Sequence, residues 1–174
     1  RNRFDDNQRN EFWRNRESAH ALLNADSYAQ QHEAVIRYIE MSDHIIKFKH
    51  IFTNAGIHHQ EAILTTLCAH VRKLGETEKT TLSKLERAHL QEVIVKEILQ
   101  RINGGPWNRL RVDLSQTRFL SELTIKNQNT ESIIYLNKST FDHNVSIIEP
   151  TKITVYWEDA EFRGTLTIAG TSSM

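Results

Sequence analysis

The sequence holds one cysteine, six glycines and no net charge, and each shortage excludes a class of protein. A lone Cys68 cannot form an internal disulfide, which points to a reducing compartment and a cytoplasmic location. Within "LTTLCAHV" it shares an apolar helix face with Leu64, Leu67 and Val71, and it reads as a buried structural thiol, not a nucleophile. Gly104 and Gly105 belong to a helix stop, so too few glycines remain for a phosphate-cradling loop, and no Gly-x-Ser-x-Gly elbow occurs. No apolar run approaches the length of a membrane span, and no signal-peptide pattern is present. The chain begins at Arg1, not at a methionine, and is expected to be a piece of something longer, with an upstream domain or anchor left open.

Lysine and arginine balance aspartate and glutamate at 22 each, so no overall field holds nucleic acid or an acidic membrane. The local exception is Arg1, Arg3, Arg9, Arg14 and Arg16. Asp5, Asp6, Glu11 and Glu17 are interleaved with them, which makes a solvated helix face and not a phosphate track.

What the chain does have is 174 residues, 39% hydrophobic and 25% charged, enough for one globular unit or two small joined ones. Its character changes at "NGGPW". Before it, apolar residues recur at helical spacing; after it, β-branched residues alternate with polar ones. Asn103, Gly104, Gly105 and Pro106 are helix-stop chemistry.

Upstream, four helices are expected. The first covers residues 6–23 and buries Phe12, Ala19, Leu22 and Leu23. The second starts near Ser27, turns Val35, Ile36 and Ile39 inward, and either runs on to about residue 52 or breaks at Ser42. The third covers residues 57–74, with Ile63, Leu64, Leu67, Cys68 and Val71 in one stripe, and Gly75 stops it. The fourth covers residues 79–102, with Leu82, Leu85, Leu90, Val93, Ile94 and Ile98 inside. Short joints favour an up-and-down antiparallel bundle.

Downstream, "FLSELTIK", "SIIYLN", "NVSIIE", "KITVYW" and "FRGTLTIA" read as strands, with "EDAE" closing a hairpin. The expected fold is therefore α+β: an antiparallel bundle of about four helices over residues 1–103, then an antiparallel sheet or small sandwich over residues 107–174. No internal repeat is evident, and the only biased stretch is the polar tail "GTSSM".

Five groups of residues could carry chemistry. In "RNRESAH", Arg14, Asn15 and His20 resemble the arginine-polar-histidine pattern of the HEPN family of helical ribonucleases, over seven residues. The resemblance implies metal-independent RNA cleavage, with His20 trading a proton and Arg14 stabilising the charged phosphorane. Thirteen arginines and nine histidines give about two such spacings by chance, and two occur, the other from Arg37 to His44.

"ESAH" and "ERAH" repeat Glu-x-x-His, so Glu17 with His20 and Glu86 with His89 each share a helix face. This is the spacing of carboxylate-bridged di-iron bundles, in which Glu33 or Glu40 and Glu61 would complete the metal shell. Charged neighbours beside Glu17 favour a solvated surface instead. The third group is a histidine cluster, His44, His50, His58, His59 and His70, which reads as a titrating surface because no cysteine or His-Glu-x-x-His set accompanies it. "FDHN" pairs Asp142 with His143 in a turn, where backbone preferences alone explain both. Trp107, Tyr135, Tyr156 and Trp157 could stack bases, but "KITVYWEDAEF" is acidic, so RNA is not favoured and the aromatics read as core.

These comparisons favour a non-enzymatic protein-interaction or oligomerisation domain, with no cofactor expected and with another protein or a second copy as partner. Its surfaces would be the long fourth helix and the exposed last strand "GTLTIAG". The alternatives are the ribonuclease of Arg14 and His20 and the metal bundle of Glu17, His20, Glu61, Glu86 and His89.

Overall fold

The computed structural model describes residues 6–25, 27–47, 64–76, 81–104, 111–126, 131–148 and 153–170. They form four helices and nine strands, and the chain divides into two compact units, residues 1–64 with 80–82, and residues 65–79 with 83–174.

The first unit holds α1 (Asp6–Leu22) and α2 (Tyr28–Lys47), packed against one another. Ser27 caps α2 by accepting the Gln30 N–H at 3.1 Å. The helix is continuous through Ser42. Its buried face is Ala34, Val35, Tyr38 and Met41, set against Ala19 and Leu23 of the first segment. Ile36, expected inside, is exposed, because Tyr38 and Met41 move the stripe's centre away from it. The Phe12 and Ile63 side chains lie outside the described residues.

The second unit begins with α3 (residues 64–75), all but its first residue, and α4 (Lys84–Gly104). α4 starts later than the periodicity predicts, because Ser83 and Glu86 make a reciprocal cap: the Ser83 N–H donates to Glu86 Oε1 at 3.0 Å, and the Glu86 N–H to Ser83 Oγ at 3.1 Å. That start turns Leu85 outward, 82% exposed, while Leu90, Ile94 and Ile98 are fully buried.

The strands overturn the expected antiparallel sheet. β1 (Arg111–Asp113), β4 (Ser132–Tyr135) and β7 (Ile153–Tyr156) form one sheet. β2 (Arg118–Phe119), β5 (Thr140–Phe141) and β8 (Glu161–Phe162) form a second, and β3 (Leu123–Lys126), β6 (Val145–Ile148) and β9 (Leu166–Ala169) a third. Every pairing is parallel. The chain thus winds through three coils, each laying one strand on each of three faces, as in a solenoid. Alternation of apolar and polar residues is the same in parallel and antiparallel strands, so it marks strands without marking direction. "EDAE" is a corner between two faces, closed by the Ala160 N–H donating to the Trp157 carbonyl at 3.1 Å, and not a hairpin.

The coils are an internal repeat of 22 and then 21 residues, set by the register of Phe119, Phe141 and Phe162. Like residues stack inward: the three phenylalanine rings lie 5.0 and 4.9 Å apart and nearly parallel, and Ile125, Ile147 and Ile168 align in the third sheet. Each coil turns its first corner at a residue with positive φ: Gln116 at 54°, Lys138 at 58° and Asp159 at 57°. None is glycine, although the left-handed region is costly for such residues. A small residue follows each, and buried Ser139 donates from Oγ to the Leu114 carbonyl at 3.0 Å and accepts the Thr117 N–H at 3.2 Å.

α3 and α4 close the near end of the first coil. Buried Gln91 donates to the carbonyls of Val71 (3.0 Å) and Arg118 (2.8 Å) and accepts the Leu120 N–H at 2.8 Å, so one amide joins both helices to the coil. Arg72 donates to the Ser115 and Asp113 carbonyls, and buried Arg87 to those of Leu74 and Glu76 at the end of α3. These bonds satisfy strand and helix ends that would otherwise be buried and unpaired.

Candidate functional site at the open end of the strand stack

No such helix bond is made to the third coil among the described residues. Among the described residues no strand lies beyond β7, β8 or β9, so all three present unpaired backbone groups. The inward stacks show the consequence: Ile125 is 1% exposed and Ile147 2%, but Ile168 is 54% exposed. Val155, Trp157, Phe162 and Leu166 are each half-buried at positions that are closed in the two earlier coils. Neither β7 (ITVY) nor β9 (LTIA) carries a charge or a proline, the devices that usually blunt a strand edge.

In the third coil, charge is confined to the second face and its corners. Asp142, almost buried, accepts from Arg118 Nε at 3.1 Å in the first coil and from Arg163 Nη1 at 3.4 Å in the third. Arg163 Nε also reaches Glu161 Oε1 at 3.2 Å. An ionic ladder therefore runs along the stack, and at the open end it leaves Glu161 and Arg163 side by side, with Glu158 and Asp159 exposed at the preceding corner. Asp142 is thereby engaged with arginines, and His143 beside it is exposed.

The other sequence candidates lie elsewhere. Arg14, Asn15, Glu17 and His20 are all exposed on α1. Six helical residues separate Arg14 from His20 by about 9 Å along the axis and about 120° around it, so one helix does not bring them together. The His20 ring faces that of Tyr38, centroids 5.9 Å apart. Glu33 pairs with Arg37 at 2.9 Å, Glu40 is exposed, Glu86 is engaged in the cap of α4, and His89 is exposed one turn on. Glu61, His50, His58, His59 and Trp107 lie outside the described residues, as does the His44 side chain. Among the described residues no group of three or more His, Cys, Asp or Glu side chains is placed to hold a metal ion, and no helix is long and apolar enough to cross a membrane. Of the aromatics, Tyr135 and Tyr156 stack on the outer surface, rings 5.3 Å apart, and Trp157 meets Phe162 edge-on at 5.9 Å.

Two buried groups in α3 have displaced titrations. Burial pushes the Cys68 thiol up to about 12, with nearby Arg72 pulling the other way, so the thiol stays protonated at neutral pH. Burial, with the charge of Lys73, holds His70 down to about 4, so His70 is neutral and is no part of a titrating surface. The unfolded chain takes up this proton near pH 6.5 and the folded one only near 4. Stability is therefore complete above pH 6.5 and falls as pH drops toward 4, by about 3 kcal/mol from this residue. Urea unfolding at pH 7.5 and pH 4.5 measures it; the difference should shrink by more than half in His70→Gln, and an unchanged difference would remove His70 as its cause.

A groove of about 300 Å³ runs between α4 and β3, floored by Val95, Leu99, Phe119 and Leu123. Lys96 and Lys126 share its rim with Glu92 and Glu122, so it presents no single sign of charge to a ligand. No protein-family model, no curated protein and no solved structure matches the chain.

Proposed function

We propose that the protein is a non-enzymatic interaction domain that works through the open end of its strand stack. The observation that carries this reading is Ile168: a core position, closed in two coils, opens to solvent in the third at the edge of an uncharged strand. An unpaired edge with apolar side chains adds a further strand layer readily, since main-chain bonds supply affinity and the inward stack supplies pockets. The α3–α4 end supports the same polarity, because Gln91 and Arg72 bond the backbone there.

The test is Ile168→Lys. Because the position is exposed, the change should alter thermal stability little, within about 0.5 kcal/mol. Wild type should form a complex, with another copy or another protein, that the variant loses. A wild type that stays a monomer and retains no other protein, or a complex that Ile168→Lys keeps in full, would overturn the reading.

A further inference from the structure

We infer that the occupant of the open end is a second copy of this chain, docked tail to tail about a two-fold axis through the β8 face. This rests on the open-end reading above and goes further by fixing partner, polarity and axis.

Head-to-tail addition is blocked at two of the three faces, because Arg72 bonds the Asp113 and Ser115 carbonyls at β1, and Gln91 bonds the Arg118 carbonyl and the Leu120 N–H at β2. Two open ends can meet, and a two-fold operation closes the pair with no edge left over. Flipping a coil reverses its direction of travel, so every strand meets its counterpart antiparallel, with unpaired N–H and C=O groups on both sides.

Three such axes exist, one through each face, and charge separates them. An axis through the β9 face lays the corner of Glu158 and Asp159 on its own copy. An axis through the β7 face lays the Arg163 corner on its own copy. Both set like charges together at the rim of an apolar contact, which is unfavourable. The axis through the β8 face exchanges those corners: Glu158 and Asp159 approach the partner's Arg163. With Phe162 opposite the partner's Phe162, each Glu161 faces the partner's Arg163. The same operation sets β7 beside the partner's β9, joining the two uncharged four-residue edges. Val155 and Trp157 then close against the partner's Leu166 and Ile168, and Phe162 against its copy.

Sedimentation velocity over a hundredfold concentration range should show a reversible step from 20.3 kDa to twice that mass and no larger species. Glu161→Arg and Arg163→Glu should each weaken the dimer at least tenfold by setting like charges across the axis. Mixed in equal amounts they should pair with each other, and the double variant Glu161→Arg with Arg163→Glu should recover the homodimer. Circular dichroism of each variant checks that the coils are intact, and the recovery on mixing cannot come from misfolded chains.

A ladder of masses, a dimer indifferent to both reversals, or single variants that do not rescue each other would overturn the tail-to-tail pairing. If Ile168→Lys still abolishes association in those cases, the open-end reading stands without it; if that variant associates normally, both fall. A wild type that is monomeric throughout yet holds another protein in an Ile168-dependent complex overturns the pairing alone.

Discussion

Gly75→Ala is expected to destabilise the second unit by about 3 kcal/mol. A Cβ at this position would stand 2.3 Å from the Arg118 carbonyl oxygen and 3.2 Å from its nitrogen and carbon. All three are backbone atoms of β2, so no side chain can swing away. Either the end of α3 or the strand must move by most of an ångström, and the movement pulls on the Gln91 bonds to Val71 and Arg118. The φ of Gly75 is not positive, so the glycine is there for closeness and not for an unusual backbone conformation. Denaturant unfolding followed by far-UV circular dichroism measures the loss; a change below 0.5 kcal/mol would show that the helix and strand do not approach as described.

Phe141→Ala is expected to cost about 4 kcal/mol, within the range for buried aromatic truncation. Phe141 is the middle ring of the internal stack, 1% exposed, with Phe119 on one side and Phe162 on the other. Its removal leaves both neighbours facing a void, and the coils cannot close it without breaking the register of β5 with β2 and β8. Phe162→Ala, at the half-buried end, is expected to cost less than half as much. Paired urea titrations decide the matter: equal losses would mean that the third coil is as closed as the second.

Much of the helical part was legible because its signals are local. The "NGGPW" stop, the stripe of Leu64, Leu67, Cys68 and Val71, and the inner face of Leu90, Ile94 and Ile98 all appear within a few residues of one another. The exception, Leu85, follows from the Ser83–Glu86 cap, an S-x-x-E pattern that does stand in the sequence as "SKLE". The five strand-like runs contain β3, β4, β6, β7 and β9. β2, β5 and β8 are two residues each, too short to show an alternation.

Strand direction and the repeat were hidden for a different reason. The coils agree at few positions, chiefly Phe119, Phe141 and Phe162 and Ile125, Ile147 and Ile168, while their left-handed corners hold Gln116, Lys138 and Asp159, three unlike residues without a glycine to mark them. At the candidate site, the uncharged edge of β9 was readable from "GTLTIAG". The ladder from Arg118 through Asp142 to Arg163 was not, because its members belong to different coils and are brought together only by the winding.

The closed first end also bears on how the chain acquires its shape. A strand laid alone has nothing to bond to, and parallel neighbours here are separated by a whole coil, so pairing two loose coils would mean closing a long loop before any contact is gained. The α3–α4 pair removes that difficulty. Its contacts are near in sequence, and it offers Gln91 and Arg72 as a template on which β1 and β2 can settle. Each finished coil becomes the mould for the next. On that template the coils are expected to form in chain order, which leaves the third, with Ile168, facing solvent.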